Sequence, residues 1–256
     1  MKLIILAAGK GNRLRPLTDN IPKCMVKFNN IPIIDYLIST SKKFDFEKII
    51  IVTGYKHHVL ENHFKSNSII EFCHNKNFNK TNMVYSFLCA KHHFNDDIIV
   101  SYSDIIFNEK ILNKVIKSKK KLGVVVDNEW RKLWSIRMEN PLDDAETLKI
   151  LDNQIVEIGK KTVDYDNIHS QYIGLIKFSK SAVTEFLEFY KSIDRNTKYR
   201  GESLKSMYFT TLIQLLIDNR FKVSPIYING GWIEIDSISD LENYKLNKIS
   251  FDYSKN

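Results

Sequence analysis

The chain has 256 residues, of which 43% are hydrophobic and 27% charged, with a formal net charge of +8. That length and balance predict one globular domain with a buried core, and a 12% aromatic share excludes a disordered chain. The three scattered cysteines, Cys24, Cys73 and Cys89, argue against a disulfide framework and against a zinc site, and point to a reducing, cytoplasmic compartment.

In chain order, apolar runs bounded by turn signals alternate with helical patterns. A strand is expected at Lys2–Leu6, then a helix at Ile33–Phe44, a strand at Lys48–Thr53 and helices at Lys56–Phe64 and Met83–Phe94. Next come a strand at Asp97–Tyr102, a helix at Glu109–Ile116 and a strand at Leu122–Asp127. Thr147–Ile158 alternates apolar and polar residues around Asp152-Asn153 and predicts a hairpin. A strand at Tyr172–Phe178, helices at Ser181–Tyr190 and Glu202–Ile217, a strand at Lys222–Ile228 and a helix at Ser237–Asn247 complete the pattern. Such alternation predicts an α/β fold: a mostly parallel sheet flanked by helices, with a small antiparallel hairpin inserted. Residues 1–247 are expected to form a single domain and 248–256 a polar, loosely held tail.

The lysines are dispersed, and the densest run, Lys117–Lys121, is short. The positive balance therefore suits a cleft for a polyanionic small molecule better than a nucleic-acid surface. Leu3–Ala8 is too short for a signal peptide, and no stretch is long enough for a membrane span, so neither nucleic acid nor membrane is an expected partner.

The first strand runs into Leu6-Ala7-Ala8-Gly9-Lys10-Gly11-Asn12-Arg13. Small residues and two glycines let the backbone approach a ligand, and its N–H groups can face phosphate oxygens. A dinucleotide fingerprint is excluded because its third glycine position holds Leu14, and a P-loop because no Gly-Lys-Ser/Thr closes the loop. Arg13 and Lys23 place two cations by the same loop, where a triphosphate gives them a use.

The run LAAGKGNRLRPLTDNIPK resembles the signature of the nucleotidyltransferases that make sugar nucleotides and related activated small molecules. The resemblance implies a Rossmann-like, GT-A-like nucleotidyltransferase fold. It places Leu6, Ala7, Ala8, Gly9, Gly11 and Asn12 against the nucleotide, and assigns Arg13 and Lys23 to phosphate binding and catalysis. It also implies a magnesium ion, with manganese as a substitute, on two carboxylates. Ser103-Asp104 at the end of the central strand resembles one metal position, with Ser103 beside the nucleotide. Trp232-Ile233-Glu234-Ile235-Asp236 resembles the other. Each aspartate has a second reading: Asp104 as a turn or cap residue, Asp236 as the N-cap of the following helix.

Lys80–Ser86, with Asn82, resembles a segment of the phosphocholine cytidylyltransferases and their phosphonate-directed relatives. Asn82 can read a pyrimidine edge or cap a helix, and the two are compatible. In Asp127–Glu146, Glu129 and Trp130 match the choline-binding segment of those enzymes, where cation–π attraction holds a quaternary ammonium. Trp130 and Trp134 lie four residues apart, so a core helix face accounts for them equally. Trp134, Arg137 and the Asp143-Asp144-Ala145-Glu146 string depart from the choline pattern, and the string looks more like the aminoethylphosphonate and phosphoglutamine subgroup. The expected acceptor contacts are thus Glu129, Trp130, Trp134, Arg137, Tyr172 and Glu234, the expected partners CTP and a small phosphorylated acceptor, with a homodimer as a further expectation. The expected activity is a Mg-dependent cytidylyltransferase, phosphoglutamine being the first-choice acceptor and surface-polysaccharide decoration the setting. A sugar-1-phosphate enzyme lacks its sugar-binding segment here. An inactive nucleotide-sensing or nucleic-acid-binding domain is disfavoured because Arg13, Lys23, Asp104 and Asp236 are all present.

Overall fold

A strand buried on both faces is apolar along most of its length, and Lys2–Ala7 (β1), an inner strand of the sheet, has all six residues buried, five of them apolar. The computed structural model describes residues 1–253. After β1 the chain forms the small ribbon β2 (Lys27–Phe28) and β3 (Ile31–Pro32), then α1 (Ile33–Ser41), β4 (Lys48–Thr53), α2 (His57–His63), β5 (Ile70–His74) and α3 (Met83–Cys89). It continues with β6 (Ile98–Tyr102), β7 (Ile105–Phe107), α4 (Glu109–Lys117), β8 (Leu122–Asp127), α5 (Trp130–Arg137), β9 (Glu146–Leu151) and β10 (Gln154–Lys161). The last elements are β11 (Gln171–Phe178), α6 (Lys180–Ser192), α7 (Phe209–Asp218), β12 (Ser224–Ile228), β13 (Trp232–Glu234) and α8 (Ile238–Leu246).

The main sheet has seven strands in the order β12-β8-β11-β6-β1-β4-β5. All neighbours are parallel except β11, which runs antiparallel to both β6 and β8. One face is covered by a core that includes Ile33, Leu37, Ile111 and Val115 from α1 and α4. The other is covered by Phe87, Phe186, Phe209 and Leu212 from α3, α6 and α7. The expected α/β sheet with its inserted hairpin is therefore present. In the β9–β10 hairpin, Asp152 and Asn153 have φ of 47° and 58°, as a tight two-residue turn requires.

Several boundaries differ from the sequence expectation. The helix expected from Glu202 begins at Phe209, because Tyr199 and Glu202 pair across a turn with positive φ at Arg200 and Gly201, and the Glu202 carboxylate accepts from the Tyr208 N–H at 2.9 Å. The helix expected to reach Phe94 ends at Cys89 and gives way to a single 3₁₀ turn, Lys91–His93. The edge strand β5 escaped the sequence reading because it is only half buried. The segment expected as a loose tail leans on the core through Ile249, Phe251 and Tyr253, the last ring lying 5.5 Å from Tyr36. Residues 254–256 of that tail lie outside the described residues.

Phe87 is fully buried and packs on the rings of Phe94, Phe178, Phe186 and Phe209 at 4.4 to 5.8 Å. Phe87→Ala is expected to destabilise the protein by roughly 3–5 kcal/mol, read as a lowered denaturant midpoint.

Candidate active site

The strands β1 and β6 end side by side, and a parallel sheet exposes its binding crevice at such carboxyl ends. A cleft of about 130 Å³ opens there. Of the residues expected to touch the nucleotide, Leu6, Ala7, Ala8 and Gly9 line it from β1, and Ser103 and Asp104 from the end of β6. Lys23 and Asn82 line it as well.

The glycines act differently. Among the described residues, its chain neighbours apart, nothing lies within 4 Å of where a Gly9 Cβ would stand, so this backbone faces open space. Gly11 has φ of +65°, and a Cβ there would meet Lys23 Cβ at 2.9 Å. Gly11 is thus what lets the Lys23 side chain pass, and Thr18 Oγ1 donates to its carbonyl at 2.8 Å, fixing the loop. No α-helix follows this loop; Asn12–Leu14 is a single 3₁₀ turn, with Asn12 and Arg13 exposed.

Asp104 and Asp236 are far apart in sequence and meet through the β7–β13 ribbon. Ile105 pairs with Glu234, and the Ile235 N–H donates to the Asp104 carbonyl at 2.9 Å. Lys23 Nζ then bridges the two carboxylates, 2.6 Å from Asp104 Oδ2 and 2.5 Å from Asp236 Oδ1. Burial by itself would depress the Lys23 pKa, but Asp104, Asp236 and Glu234 outweigh it and hold the ammonium charged above the ordinary lysine range. Arg13 pairs with Asp236 Oδ2 while its side chain stays largely exposed. The helix-cap reading of Asp236 fails: Ser237 is the N-cap of α8, and Asp240 completes the capping box.

A further layer holds Asp236 in place. Asp240 Oδ2 accepts from the N–H groups of Asp236 and Ser237 at 2.8 and 2.9 Å. Its other oxygen accepts from Arg137 Nε at 3.1 Å, and Arg137 Nη1 donates to Glu234 Oε2 at 2.8 Å. Glu234 is half-buried beside Asp104 and Asp236; desolvation pushes its carboxyl above the usual range, Arg137 opposes the shift, and the two aspartates add to it. Arg137 has a side chain only 2% exposed and satisfied by carboxylates, so it braces the site from behind. It is not placed to receive an acceptor phosphate as the sequence suggested.

Two other acceptor expectations also give way to packing. Trp130 and Trp134 are 2% and 4% exposed and form the inner face of α5, ring centroids 5.8 Å apart, with Trp232 6.0 Å beyond Trp134. Buried indoles offer no face to a quaternary ammonium. Glu129 pairs with Lys132 at 2.9 Å and borders a separate hollow near Gly230 and Gly231. Tyr172 stands behind Tyr102 at 5.6 Å, and Tyr102 lines the cleft.

Asn82 caps α3, its Oδ1 accepting from the Met83 N–H at 2.9 Å, and still lines the cleft. Phe78, Thr81, Met83 and Ser86 join it there without having been singled out in sequence. Behind them Asn75, 1% exposed, donates to Thr81 Oγ1 and Ser86 Oγ, both at 3.0 Å. Thr81, Met83 and Ser86 belong to the Lys80–Ser86 segment that the sequence marks, whereas Phe78 lies outside it. Lys10 lies over the Phe78 ring at 6.0 Å, adding a cation at the mouth.

Against known proteins, the sequence pattern of the nucleotidyl transferase family matches residues 2–132. The chain is 44% identical over 248 residues to a CTP:phosphoglutamine cytidylyltransferase of Campylobacter jejuni, covering 94% of this chain and 98% of the relative. Its fold is similar to that of an inositol-1-phosphate CTP transferase from T. maritima (TM-score 0.73, 20% identity, 95% of this chain and 94% of the other). It is also similar to a CTP:phosphocholine cytidylyltransferase from Streptococcus pneumoniae (TM-score 0.68, 22% identity, 96% and 97%).

Arg137→Ala is expected to leave Asp240 and Glu234 without their cation and to cost about 3–5 kcal/mol of stability, read by denaturant unfolding. An unchanged stability with weakened acceptor binding would instead restore the ligand-contact reading.

Proposed function

Because the chain belongs to the nucleotidyltransferase family, we propose that it is a cytidylyltransferase joining CTP to a small phosphorylated acceptor, with phosphoglutamine the first choice. The observation that carries the chemistry is the meeting of Lys23, Arg13, Asp104 and Asp236 at one end of the cleft. The end-to-end similarity to the Campylobacter enzyme supports cytidine and phosphoglutamine. The burial of Trp130 and Trp134 argues against a choline cage on that helix. The setting proposed for it, capsule or surface-polysaccharide decoration, rests on the family resemblance alone.

An acceptor phosphate oxygen attacks the α-phosphorus of CTP, the bond from that phosphorus to the bridging oxygen breaks, and pyrophosphate leaves. The attacking oxygen is anionic near pH 7, so the step needs no general base. Cys24, the cysteine in the cleft, is no nucleophile, since burial pushes its thiol up to about 12. Catalysis is positioning and charge neutralisation. Lys23 and Arg13 stabilise charge on the departing pyrophosphate, while the glycine-lined backbone of β1 and its loop receives the nucleotide. The loop carrying Asn82 flanks the base, and the Asn82 amide, partly used in capping, donates to the Ser206 carbonyl at 3.3 Å.

The residues present suit a divalent metal. Asp104 Oδ1 is buried with no hydrogen-bond partner among the described residues, and the metal-ligating atoms beside it are carboxylate oxygens, the set that magnesium or manganese prefers. Asp104 and Asp236 would hold the ion, which supplies neutralisation of phosphate charge. Among the described residues no helix is long and apolar enough to cross a membrane.

Lys23→Ala is expected to keep the fold and lower pyrophosphate release with CTP by roughly 10²-fold or more. An acceptor panel of phosphoglutamine, phosphocholine, aminoethylphosphonate and glucose-1-phosphate, each with CTP and UTP, should give its highest kcat/KM with CTP and phosphoglutamine. A preference for glucose-1-phosphate with UTP would replace this reading with a sugar-1-phosphate enzyme.

A further inference from the structure

We propose that Cys73, His92 and His93, with Glu71 beside them, form a binding site for zinc or a similar borderline-soft divalent cation, separate from the carboxylate pair. On β5, Glu71 and Cys73 are two residues apart and so project to the same face of the sheet. That is the face carrying α3, since Cys73 packs in the core that holds Val84, Phe87 and Ala90. The 3₁₀ turn Lys91–His93 that follows α3 brings two adjacent imidazoles to it.

The ligand atoms of Cys73, His92 and His93 all lie within 4.8 Å of one another, and Cys73 Sγ is 3.7 Å from His92 Nε2. Tetrahedral zinc, with bonds of about 2.3 Å to sulfur and about 2.0 Å to nitrogen, requires ligand separations of roughly 3.3–3.6 Å, so small side-chain movements close the site. An independent observation points the same way. The His93 side chain is only 9% exposed, yet among the described residues its Nε2 makes no hydrogen bond, and Glu71 Oε1 lies 3.6 Å away. A buried ring nitrogen without a hydrogen bond costs stability, and a cation centred among these donors removes that cost. Thiolate and imidazole select zinc over magnesium, whereas the Asp104–Asp236 pair selects the reverse. The cysteine spacing argued against zinc because its donors come from two segments that only the fold brings together.

The location gives the site a structural role. Among the described residues β5 is an edge strand, paired only to β4. β5 and the 3₁₀ turn are the two ends of one unit whose intervening loop carries Phe78, Thr81 and Asn82 into the cleft. A bound ion ties those ends together and holds the loop's anchors at a fixed separation.

The test is titration of untagged, chelator-stripped protein with Zn²⁺ and Co²⁺. One ion per chain is expected, with thiolate-to-cobalt charge-transfer absorption for Co²⁺. The thermal midpoint should rise by roughly 5 °C at a hundredfold excess of Zn²⁺ over Kd. Cys73→Ser should abolish the charge-transfer band, and His92→Ala, at an exposed ring that cannot upset the core, should abolish most of the midpoint rise. An Asp104→Asn/Asp236→Asn double variant should retain both signals. No stoichiometric binding by the wild type, or binding undiminished in both single variants, would overturn the proposal.

Discussion

Two carboxylates held side by side in a partly buried cleft repel each other and lose hydration, and the fold is arranged around that cost. Lys23 lies between Asp104 and Asp236 at hydrogen-bonding distance from both. Its path requires the missing side chain at Gly11, and the Gly11 loop requires Thr18. On the far side, Arg137 and Asp240 hold the backbone at Asp236, so the second carboxylate cannot swing away from the first. Lys23 and Arg137 are the cations that offset the carboxylates in this low-dielectric place, and Gly11, Thr18 and Asp240 fix where they meet.

The same constraint explains the aromatic residues around α5. Trp232 begins the strand that delivers Glu234 and Asp236, and its indole donates to Asp127 Oδ2 at 2.8 Å. Trp134 packs against it, and the Arg137 guanidinium lies over the Trp134 ring at 5.2 Å. The tryptophans are thus the floor under the charged network. A cation–π contact does exist here, but its cation is the protein's own arginine. Helix α5 supports the proposed chemistry through packing, while the nucleotide side of the cleft is built from backbone, small residues and the loop before α3.

Much of this was legible in the sequence where the signal is local. The buried strands show as apolar runs, with Lys48–Thr53 and Leu122–Asp127 at the expected boundaries. The Asp152-Asn153 turn shows because its backbone conformation selects those residues. Lys23, Asp104 and Asp236 were singled out because a long motif and two carboxylate segments carry them. Less legible were β5, whose half-buried edge has a weak pattern, and the ribbon of β7 and β13, whose three-residue strands are too short to show a period. Asn75 was invisible because a single buried amide leaves no trace in a pattern of hydrophobicity.

The sequence by itself determined the inner strands, most of the helices and the residue types able to grip phosphate and metal, because strand burial, turn geometry and loop chemistry depend on neighbours along the chain. The tertiary structure alone decided which of several charged or aromatic residues face the cleft. Trp130, Trp134 and Arg137 have the composition of a ligand site, yet they pack inward, since a helix face goes where its partners are. Asp104 and Asp236 meet only because β7 pairs with β13, and no local property of either segment encodes the other.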